Sequence, residues 1–307
     1  MRLGLKSFAK INFTLEVLYR RDDGFHELKT ILQELEYHDT LYFEELPEGK
    51  IEFSCSDRAL PQGKDNLALQ AALLLQSRYA PQKGARIHLV KRIPIAAGLG
   101  GGSSNAAAAL KGLNHLWNLS LPKNILKELG AGLGSDVPFF IYGETALAEG
   151  RGEQIKTLSS FPPAKVLLIL PRGKALSASK VYHALDMDIV PKRTNTDNFV
   201  ALLQKTRGLN SCKSSLKEFC DLFCNDLEET VFALEEDVLG IKKRLLDKGL
   251  AALVSGSGPT VFALSHSENF LRDVGKELLA EGHRVILTET VSPEKYIIEE
   301  KHKDGDA

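Results

Sequence analysis

The segment 94–109 constrains the fold of this chain more than any other part: Pro-Ile-Ala-Ala-Gly-Leu-Gly-Gly-Gly-Ser-Ser-Asn-Ala-Ala-Ala-Ala. Its glycines let the backbone turn tightly and approach a ligand where a side chain would clash. Residues that often begin helices follow, and then a run of alanine, the best helix former. A flexible Gly/Ser linker is the alternative, but a linker does not end in an alanine helix. The pattern therefore predicts a loop and helix N-terminus that favour a polyphosphate.

The spacing of the loop excludes the most familiar nucleotide loops. A Walker A loop requires a Lys-Ser/Thr pair after its last glycine, whereas Gly102 is followed by Ser103 and Ser104. A dinucleotide fingerprint that starts at Gly98 would need glycine at position 103. Protein kinases are excluded because the chain has neither an H-R-D nor a D-F-G triplet.

Seven further segments in order along the chain point to one family. They are Ser-Phe-Ala-Lys-Ile-Asn-Phe at 7–13, Arg-Asp-Asp-Gly-Phe-His-Glu-Leu at 21–28, Asp-Asn-Leu at 65–67, Gly-Ser-Asp-Val-Pro-Phe-Phe at 134–140, Glu-Gly-Arg-Gly-Glu at 149–153, Asn-Asp-Leu-Glu at 225–228 and Ser-Gly-Ser-Gly-Pro-Thr at 255–260. With the glycine loop, this series resembles the GHMP kinases, whose central motif reads roughly P-x-x-x-G-L-G-S-S-A-A. The longer loop of this chain is similar to the branch that phosphorylates the 2-hydroxyl of a cytidine-diphosphate-linked methylerythritol in the non-mevalonate isoprenoid pathway.

The resemblance implies an α+β fold of two domains with the active site in the cleft between them. A ribosomal-protein-S5-domain-2-like α/β domain with the ATP phosphate loop would cover residues 1–158, and a ferredoxin-like α+β domain residues 159–298. The length of 307 residues also favours two domains. A Ser/Pro-rich stretch at 159–164 is the candidate boundary, and the charged stretch 299–307 is predicted to be a disordered tail.

Periodicity predicts the main elements. Strands are expected at 9–17, 41–44, 51–55, 86–91 and 165–170 and near 252, 261 and 285, and helices at 65–79, 122–130, 177–185, 198–205, 216–234, 236–248 and 269–281. In the first strand, apolar residues alternate with polar ones. Lys10 and Asn12 should therefore lie on one polar face, about 7 Å apart.

The loop supplies most of the candidate ATP-binding residues. These are Pro94, Ile95, Ala96, Ala97, Gly98, Leu99, Gly100, Gly101, Gly102, Ser103 and Ser104, joined by Asn66, which the resemblance places near the adenine. A hydroxyl after a phosphate loop commonly binds Mg²⁺, and Ser104 is the candidate, although Ser103 or Ser104 could also serve only to cap the helix.

The resemblance assigns the chemistry to Asp136 and Lys10. Asp136 matches the catalytic aspartate of the family and would act as the base or would only orient the attacking hydroxyl. Lys10 would lie beside it, keep the carboxylate ionised and offset charge on the substrate oxygen. Without the resemblance, Asp136 would be interpreted as a turn or cap residue and Lys10 as a surface lysine.

The resemblance also gives the acceptor site. Asn12, Phe25, His26, Tyr182, Gly256 and Gly258 are the candidate substrate-binding residues. Phe25 stands where the family usually has tyrosine, and because stacking on cytosine needs only a π face, we expect it to work. The other interpretation of Phe25 is an ordinary core residue.

Composition limits the partners. With 43% hydrophobic and 26% charged residues and a net charge of −1, nothing favours binding to nucleic acid or to an anionic membrane. No signal-like segment is apparent, so a cytoplasmic protein is expected. The resemblance implies that it uses ATP and Mg²⁺. A monomer or a homodimer is expected. Two alternatives stay open: a GHMP kinase for another small alcohol, such as homoserine or a mevalonate derivative, and a catalytically silent nucleotide-binding homologue.

Overall fold

The chain folds as an α+β protein. A computed structural model describes residues 2–47, 49–61, 63–206, 216–291 and 299–301. Within these ranges it contains ten helices and twelve strands, divided between two sheets.

The first sheet is built on two long antiparallel strands. The elements of this half, in chain order, are β1 (Arg2–Arg20), β2 (His26–Leu46), β3 (Ile51–Cys55), α1 (Leu67–Tyr79), β4 (Gly84–Val90), α2 (Gly101–Leu116), α3 (Lys123–Ala131), α4 (Val137–Tyr142), β5 (Thr145–Gly150) and β6 (Gln154–Thr157). The strands β1, β2, β4 and β3 are neighbours in that order, and β5 pairs with β2 and with β6. The alanine-rich helix α2 packs on α1 and on the sheet, so small side chains allow a close approach of helix and strands.

The second sheet is antiparallel. The elements of this half are β7 (Lys165–Leu170), α5 (Ala178–Ala184), α6 (Asn195–Thr206), α7 (Leu216–Cys220), β8 (Cys224–Asn225), α8 (Glu228–Leu234), α9 (Glu236–Asp247), β9 (Ala252–Val254), β10 (Val261–Ser265), α10 (Glu268–Ala280), β11 (Arg284–Glu289) and β12 (Glu299–Lys301). Its strands lie in the order β11, β7, β10, β9.

The strand β1 is buried on both faces, which differs from the expected single buried face. Its apolar residues share a core with the second half, where Phe13 stacks on Phe223 with ring centroids 5.3 Å apart. Its polar face is covered as well: Thr196 donates a hydrogen bond of 2.8 Å to the hydroxyl of Thr14, and its amide donates to Glu16. The strand β1 is therefore one of the elements that join the two halves of the chain.

The single helix expected at 216–234 is wrong. The structure has two short helices, α7 and α8, with the two-residue strand β8 between them. Asn225 donates to the carbonyls of Val254 and Gly256, and Asp226 accepts the amide of Val17 at 2.9 Å. These long-range bonds use side chains that would otherwise face solvent on a helix, and they fasten this segment to β1.

The charged C-terminal stretch differs in part from the expectation. Residues 299–301 form β12, which pairs antiparallel with β1 at Arg2 to Gly4. Residues 302–307 lie outside the described residues. Sequence patterns had also not indicated α4, β5 or β6.

The contact between α2 and β2 yields a stability test. A Cβ added at Gly112 would lie 2.5 Å from the ring of Phe43, which is fully buried and has no room to move. We expect Gly112→Ala to destabilise the protein by about 1–3 kcal/mol through overpacking. Urea unfolding measures the loss.

Gly240→Ala is the matched control. Gly240 also lies inside a helix, α9, but an added Cβ there meets nothing within 4 Å. The gain in helix propensity should stabilise the protein by about 0.5–1 kcal/mol. Equal and favourable effects of the two substitutions would contradict the packing described here.

Candidate active site

The glycine loop takes a conformation that side chains would prevent. Gly98 and Gly100 have φ of +76° and +69°, in the left-handed region. A Cβ on Gly100 would lie 2.8 Å from the ring of Phe140 and 2.9 Å from Cγ of Lys10. The helix α2 begins at Gly101, with Gly100 as its N-cap, so Ser103 and Ser104 lie in its first turn and do not cap it. Gly101, Gly102 and Ser103, whose N–H groups begin this turn, line the loop cavity.

Hydrogen bonds from β1 and from the second half of the chain hold the loop. The backbone N–H of Lys10 donates to the carbonyl of Leu99 at 3.0 Å. The hydroxyls of Thr260 and Ser255 donate to the carbonyls of Ala97 and Gly98 at 2.6 and 3.0 Å. The position of the loop thus depends on both halves.

Asp39 of β2 is a buried carboxylate that binds residues on both sides of the loop, and the sequence analysis missed it. Its Oδ1 accepts the backbone N–H groups of Arg92 and Ile93 at 2.6 and 2.8 Å. Its Oδ2 accepts Nζ of Lys91 at 2.5 Å and the side-chain amide of Asn105 at 2.8 Å. Burial lowers the pKa of Lys91, and the charge of Asp39 opposes that effect. Asp39 therefore fixes both ends of the loop, and the sequence analysis had no signal for it because its expected strand began at residue 41.

The loop lines a cavity of about 420 Å³. Of the candidate ATP-binding residues, Pro94 to Ser103 and Asn66 all line it. Asn66 also caps α1, because its Oδ1 accepts the N–H of Ala68 at 3.0 Å. The side chain of Lys91, which sequence reasoning did not select, also reaches this cavity.

Ser104, the candidate metal ligand, is not among the residues that line the cavity. Its side chain is buried, and its Oγ accepts a hydrogen bond of 2.7 Å from the hydroxyl of Ser7. Asn105 donates to the same Ser7 hydroxyl, so Ser104 belongs to the network around Asp39. Ser103 lines the cavity instead. The two serines are adjacent on one helical turn, and only the three-dimensional fold decides which of them faces the cavity.

Lys10 and Asp136 form an ion pair, with Lys10 Nζ 3.7 Å from Asp136 Oδ2. Lys10 is buried and also donates to Oδ1 of Asn12 at 2.7 Å, and Asn12 in turn donates to Thr30 at 2.9 Å. Asp136 precedes α4 but makes no capping hydrogen bond through its side chain. Its carboxylate is thus available to a ligand, unlike that of an ordinary cap residue.

A second cavity, of about 510 Å³, meets the first at this ion pair. Lys10, Ser103 and Asp136 line both cavities. Asn12, Phe25, His26, Tyr182 and Gly256 all line the second cavity. The sequence analysis had selected all five of these residues. The fold brings them together from β1, the turn between β1 and β2, the start of β2, α5 and the loop after β9.

Phe25, His26 and Tyr182 are aromatic side chains that line this cavity. Phe25 is 49% exposed, so it is not a core residue. The rings of His26 and Tyr182 stack with centroids 5.2 Å apart. Burial, with the positive charge of Arg20, lowers the pKa of His26 and so favours its neutral imidazole. A neutral imidazole can donate one hydrogen bond and accept another.

The two glycines near 256 have different surroundings. Gly256 has φ of +55°, and an added Cβ would lie 3.2 Å from both Lys10 Nζ and Asn12 Oδ1. Gly258 does not line the second cavity, and a Cβ added to it would meet Val254 and Val231. The structure therefore separates Gly258 from the acceptor-binding residues with which the sequence analysis had grouped it. Its left-handed φ of +67° shapes the loop.

Comparison with known families decides the class of this site. A family profile described as "GHMP kinases N terminal domain" matches residues 66–144, and one described as "GHMP kinases C terminal" matches residues 201–282. The chain belongs to the GHMP kinase family. It is an ATP-dependent small-molecule kinase, and the α+β fold expected for a GHMP kinase is confirmed.

Individual relatives and solved structures show which GHMP kinases this chain resembles. A 4-diphosphocytidyl-2-C-methyl-D-erythritol kinase from Bacillus cereus strain AH187 is 43% identical over 270 residues, which cover 88% of this chain and 90% of the relative. The crystal structure of a 4-(cytidine 5'-diphospho)-2C-methyl-D-erythritol kinase is 31% identical, with a TM-score of 0.78 over 94% of this chain and 99% of that one. A homoserine kinase from Cytophaga hutchinsonii, at 18% identity and a TM-score of 0.68 over 94% of each chain, shares the fold.

Metal-ligand clusters and membrane-spanning helices are both absent from the described residues. Across the ranges that the structure describes, no group of three or more His, Cys, Asp or Glu residues could hold a metal ion. In those same parts of the chain, none of the helices combines the length and apolar character needed to cross a membrane.

Asp39 provides the test of this site. Asp39→Asn removes the charge that compensates buried Lys91 and puts a donor beside Asn105. We expect a loss of about 3–5 kcal/mol in unfolding free energy. The KM for ATP should also rise more than the KM for the acceptor. Urea unfolding and steady-state kinetics measure these effects.

Glu45→Gln is the matched control, because Glu45 lies on the same strand and also accepts from a lysine, Lys83, at 2.7 Å. Both of those side chains are about half exposed, so the pair contributes little. Stability and KM should stay near the wild-type values. Equal behaviour of the two variants would show that Asp39 does not support the loop.

Proposed function

We propose that this kinase transfers the γ-phosphoryl group of ATP to the 2-hydroxyl of 4-diphosphocytidyl-2-C-methyl-D-erythritol, giving the 2-phosphate and ADP. The reaction belongs to the non-mevalonate route to isoprenoid precursors. The observation that carries the proposal is the acceptor cavity, in which Phe25, His26 and Tyr182 surround a space that opens onto Lys10 and Asp136. The names of the relatives agree with an acceptor of this kind.

ATP would bind in the loop cavity. The free N–H groups at the start of α2 and the positive end of its dipole would hold the phosphates, and Asn66 and its neighbours would lie around the adenosine. This orientation directs the γ-phosphate toward Ser103, Lys10 and Asp136, where the two cavities meet.

The residues at this meeting point fit Mg²⁺. Kinases commonly bind this ion through one or two carboxylates together with substrate phosphates and water. The Asp136 carboxylate and the Ser103 hydroxyl line both cavities and would hold it, with Ser103 in place of Ser104. When bound, the ion would neutralise charge on the phosphates.

Lys10 and Asp136 would orient the attacking hydroxyl. Asp136 would accept a hydrogen bond from the hydroxyl and take its proton as the bond to phosphorus forms. Lys10, held by Asn12 at 2.7 Å, would stabilise the negative charge on the transferring group. Because phosphoryl transfer depends chiefly on positioning and charge, this rigid pair is suited to the reaction.

The base of the acceptor would distinguish it from other alcohols. Phe25 and Tyr182 offer π faces, and neutral His26 offers both a donor and an acceptor to the cytosine edge. Homoserine and mevalonate have no base to stack, so they would leave this half of the cavity unused. The presence of both Lys10 and Asp136 argues against a silent homologue.

An acceptor panel tests the proposed reaction. ADP release by the purified protein with Mg-ATP is measured with 4-diphosphocytidyl-2-C-methyl-D-erythritol, mevalonate, phosphomevalonate, homoserine and galactose. We expect turnover with the first compound only. Turnover with another alcohol would show that the proposed acceptor is wrong. ATP binding without any turnover would favour the silent homologue.

Asp136→Asn tests the role of the carboxylate. The amide cannot take a proton, so kcat should fall about 10²- to 10⁴-fold. Asp247→Asn, at the exposed end of α9, is a control that should retain wild-type kcat. Full turnover by Asp136→Asn would remove this residue from the mechanism.

A further inference from the structure

Arg151 occupies a position in the acceptor cavity that the reaction described above leaves unused. It lies in the turn between β5 and β6, and its guanidinium carbon is 4.8 Å from the centroid of the Phe25 ring. Both side chains line the acceptor cavity. The adjacent Gly152 lies beside the reacting pair, since a Cβ there would be 3.9 Å from Oδ1 of Asp136. Arg151 is thus placed between the aromatic end of the cavity and its catalytic end.

The guanidinium group of Arg151 has capacity for a ligand. Among the described residues its ion pair is with Glu153, through Nε at 3.8 Å, and its two terminal nitrogens make no hydrogen bond within that part of the chain. Arg21 differs, because its guanidinium donates to both Asp23 and Glu27. A partly buried arginine with free donors in a cavity is suited to bind an anion.

The charge of the cavity agrees with an anionic ligand. Its lining includes three cationic side chains, Lys10, Arg20 and Arg151, but one carboxylate, that of Asp136. Lys10 already faces this carboxylate, and Glu153, the ion-pair partner of Arg151, does not line the cavity, so the lining carries an excess of positive charge. A diphosphate matches that excess in sign and size.

We infer that Arg151 is a specificity residue that binds the diphosphate of the acceptor while it supports Phe25, the ring on which the base stacks. This inference rests on the proposed function and deepens it. The planar guanidinium can stack on the phenyl ring through one face and donate in-plane N–H groups to phosphate oxygens from its edge. One side chain thereby sets the distance between the base and the diphosphate. Arg20, which is exposed, adds charge at the same end.

The experiment compares cytidine with CDP as inhibitors competitive with the acceptor, at saturating Mg-ATP. Wild-type protein should bind CDP more tightly than cytidine. Arg151→Met should remove most of that difference and raise the KM for the acceptor about 10- to 100-fold, which is the value of one or two charge-assisted hydrogen bonds. The kcat and the KM for ATP should change little, and Arg151→Lys should recover part of the preference for CDP.

Two control variants separate binding of the diphosphate from other effects. Lys156→Met removes an exposed positive charge from β6 and should leave all constants unchanged. Phe25→Leu should weaken the binding of cytidine and of CDP by similar factors, since it removes the stacking ring and keeps the arginine. Arg151→Met should instead weaken CDP selectively.

The outcomes distinguish the inference from the proposed function. If wild-type protein binds neither CDP nor the cytidylyl acceptor, the proposed acceptor is wrong and the inference falls with it. If wild-type protein turns over that acceptor but Arg151→Met keeps the full preference for CDP over cytidine, the inference is overturned and the proposed function stands.

Discussion

The buried carboxylate of Asp39 is the interaction on which the geometry of the active site depends. A charge without solvent is stable only with close partners, and Asp39 has four donors: two backbone N–H groups before the glycine loop, the Lys91 ammonium beside it and the Asn105 amide after it. The loop itself cannot supply this rigidity, because glycine is conformationally free. The strand β2 therefore holds a flexible segment by both of its ends. The open turn at the start of α2 is fixed in place as a result.

The strand β1 connects this support to the chemistry. Its backbone at Lys10 binds the loop at Leu99, while the side chain of the same residue reaches Asp136 and Asn12. One residue thus relates the position of the loop to the position of the reacting pair. Since Lys10 lies where the two cavities meet, a shift of β1 would change both binding sites together.

Local patterns predicted the parts of the site that depend on local chemistry. The glycine loop, Lys10 and Asp136 were found because motifs carry them, and β7 was placed at its observed bounds by a continuous apolar run. Features set by distant contacts were missed or wrong. Ser104 and Ser103 are equivalent by spacing, and the hydrogen bond that distinguishes Ser104 comes from Ser7, which is distant in sequence. The interrupted helix at 216–234 has helical periodicity, but Asn225 and Asp226 gain long-range partners that a helix would deny them. Asp39 was missed for the same reason.

The double burial of β1 has a consequence for biosynthesis. This strand leaves the ribosome well before Thr196, Phe223 and Asp226, which cover or fasten it. Until those residues are made, Phe13 lacks its ring contact with Phe223, and the loop lacks the hydroxyls of Ser255 and Thr260. Contacts between residues so distant in sequence slow folding. The first half of the chain alone therefore does not assemble the catalytic centre, and enzymatic competence depends on residues of the second half.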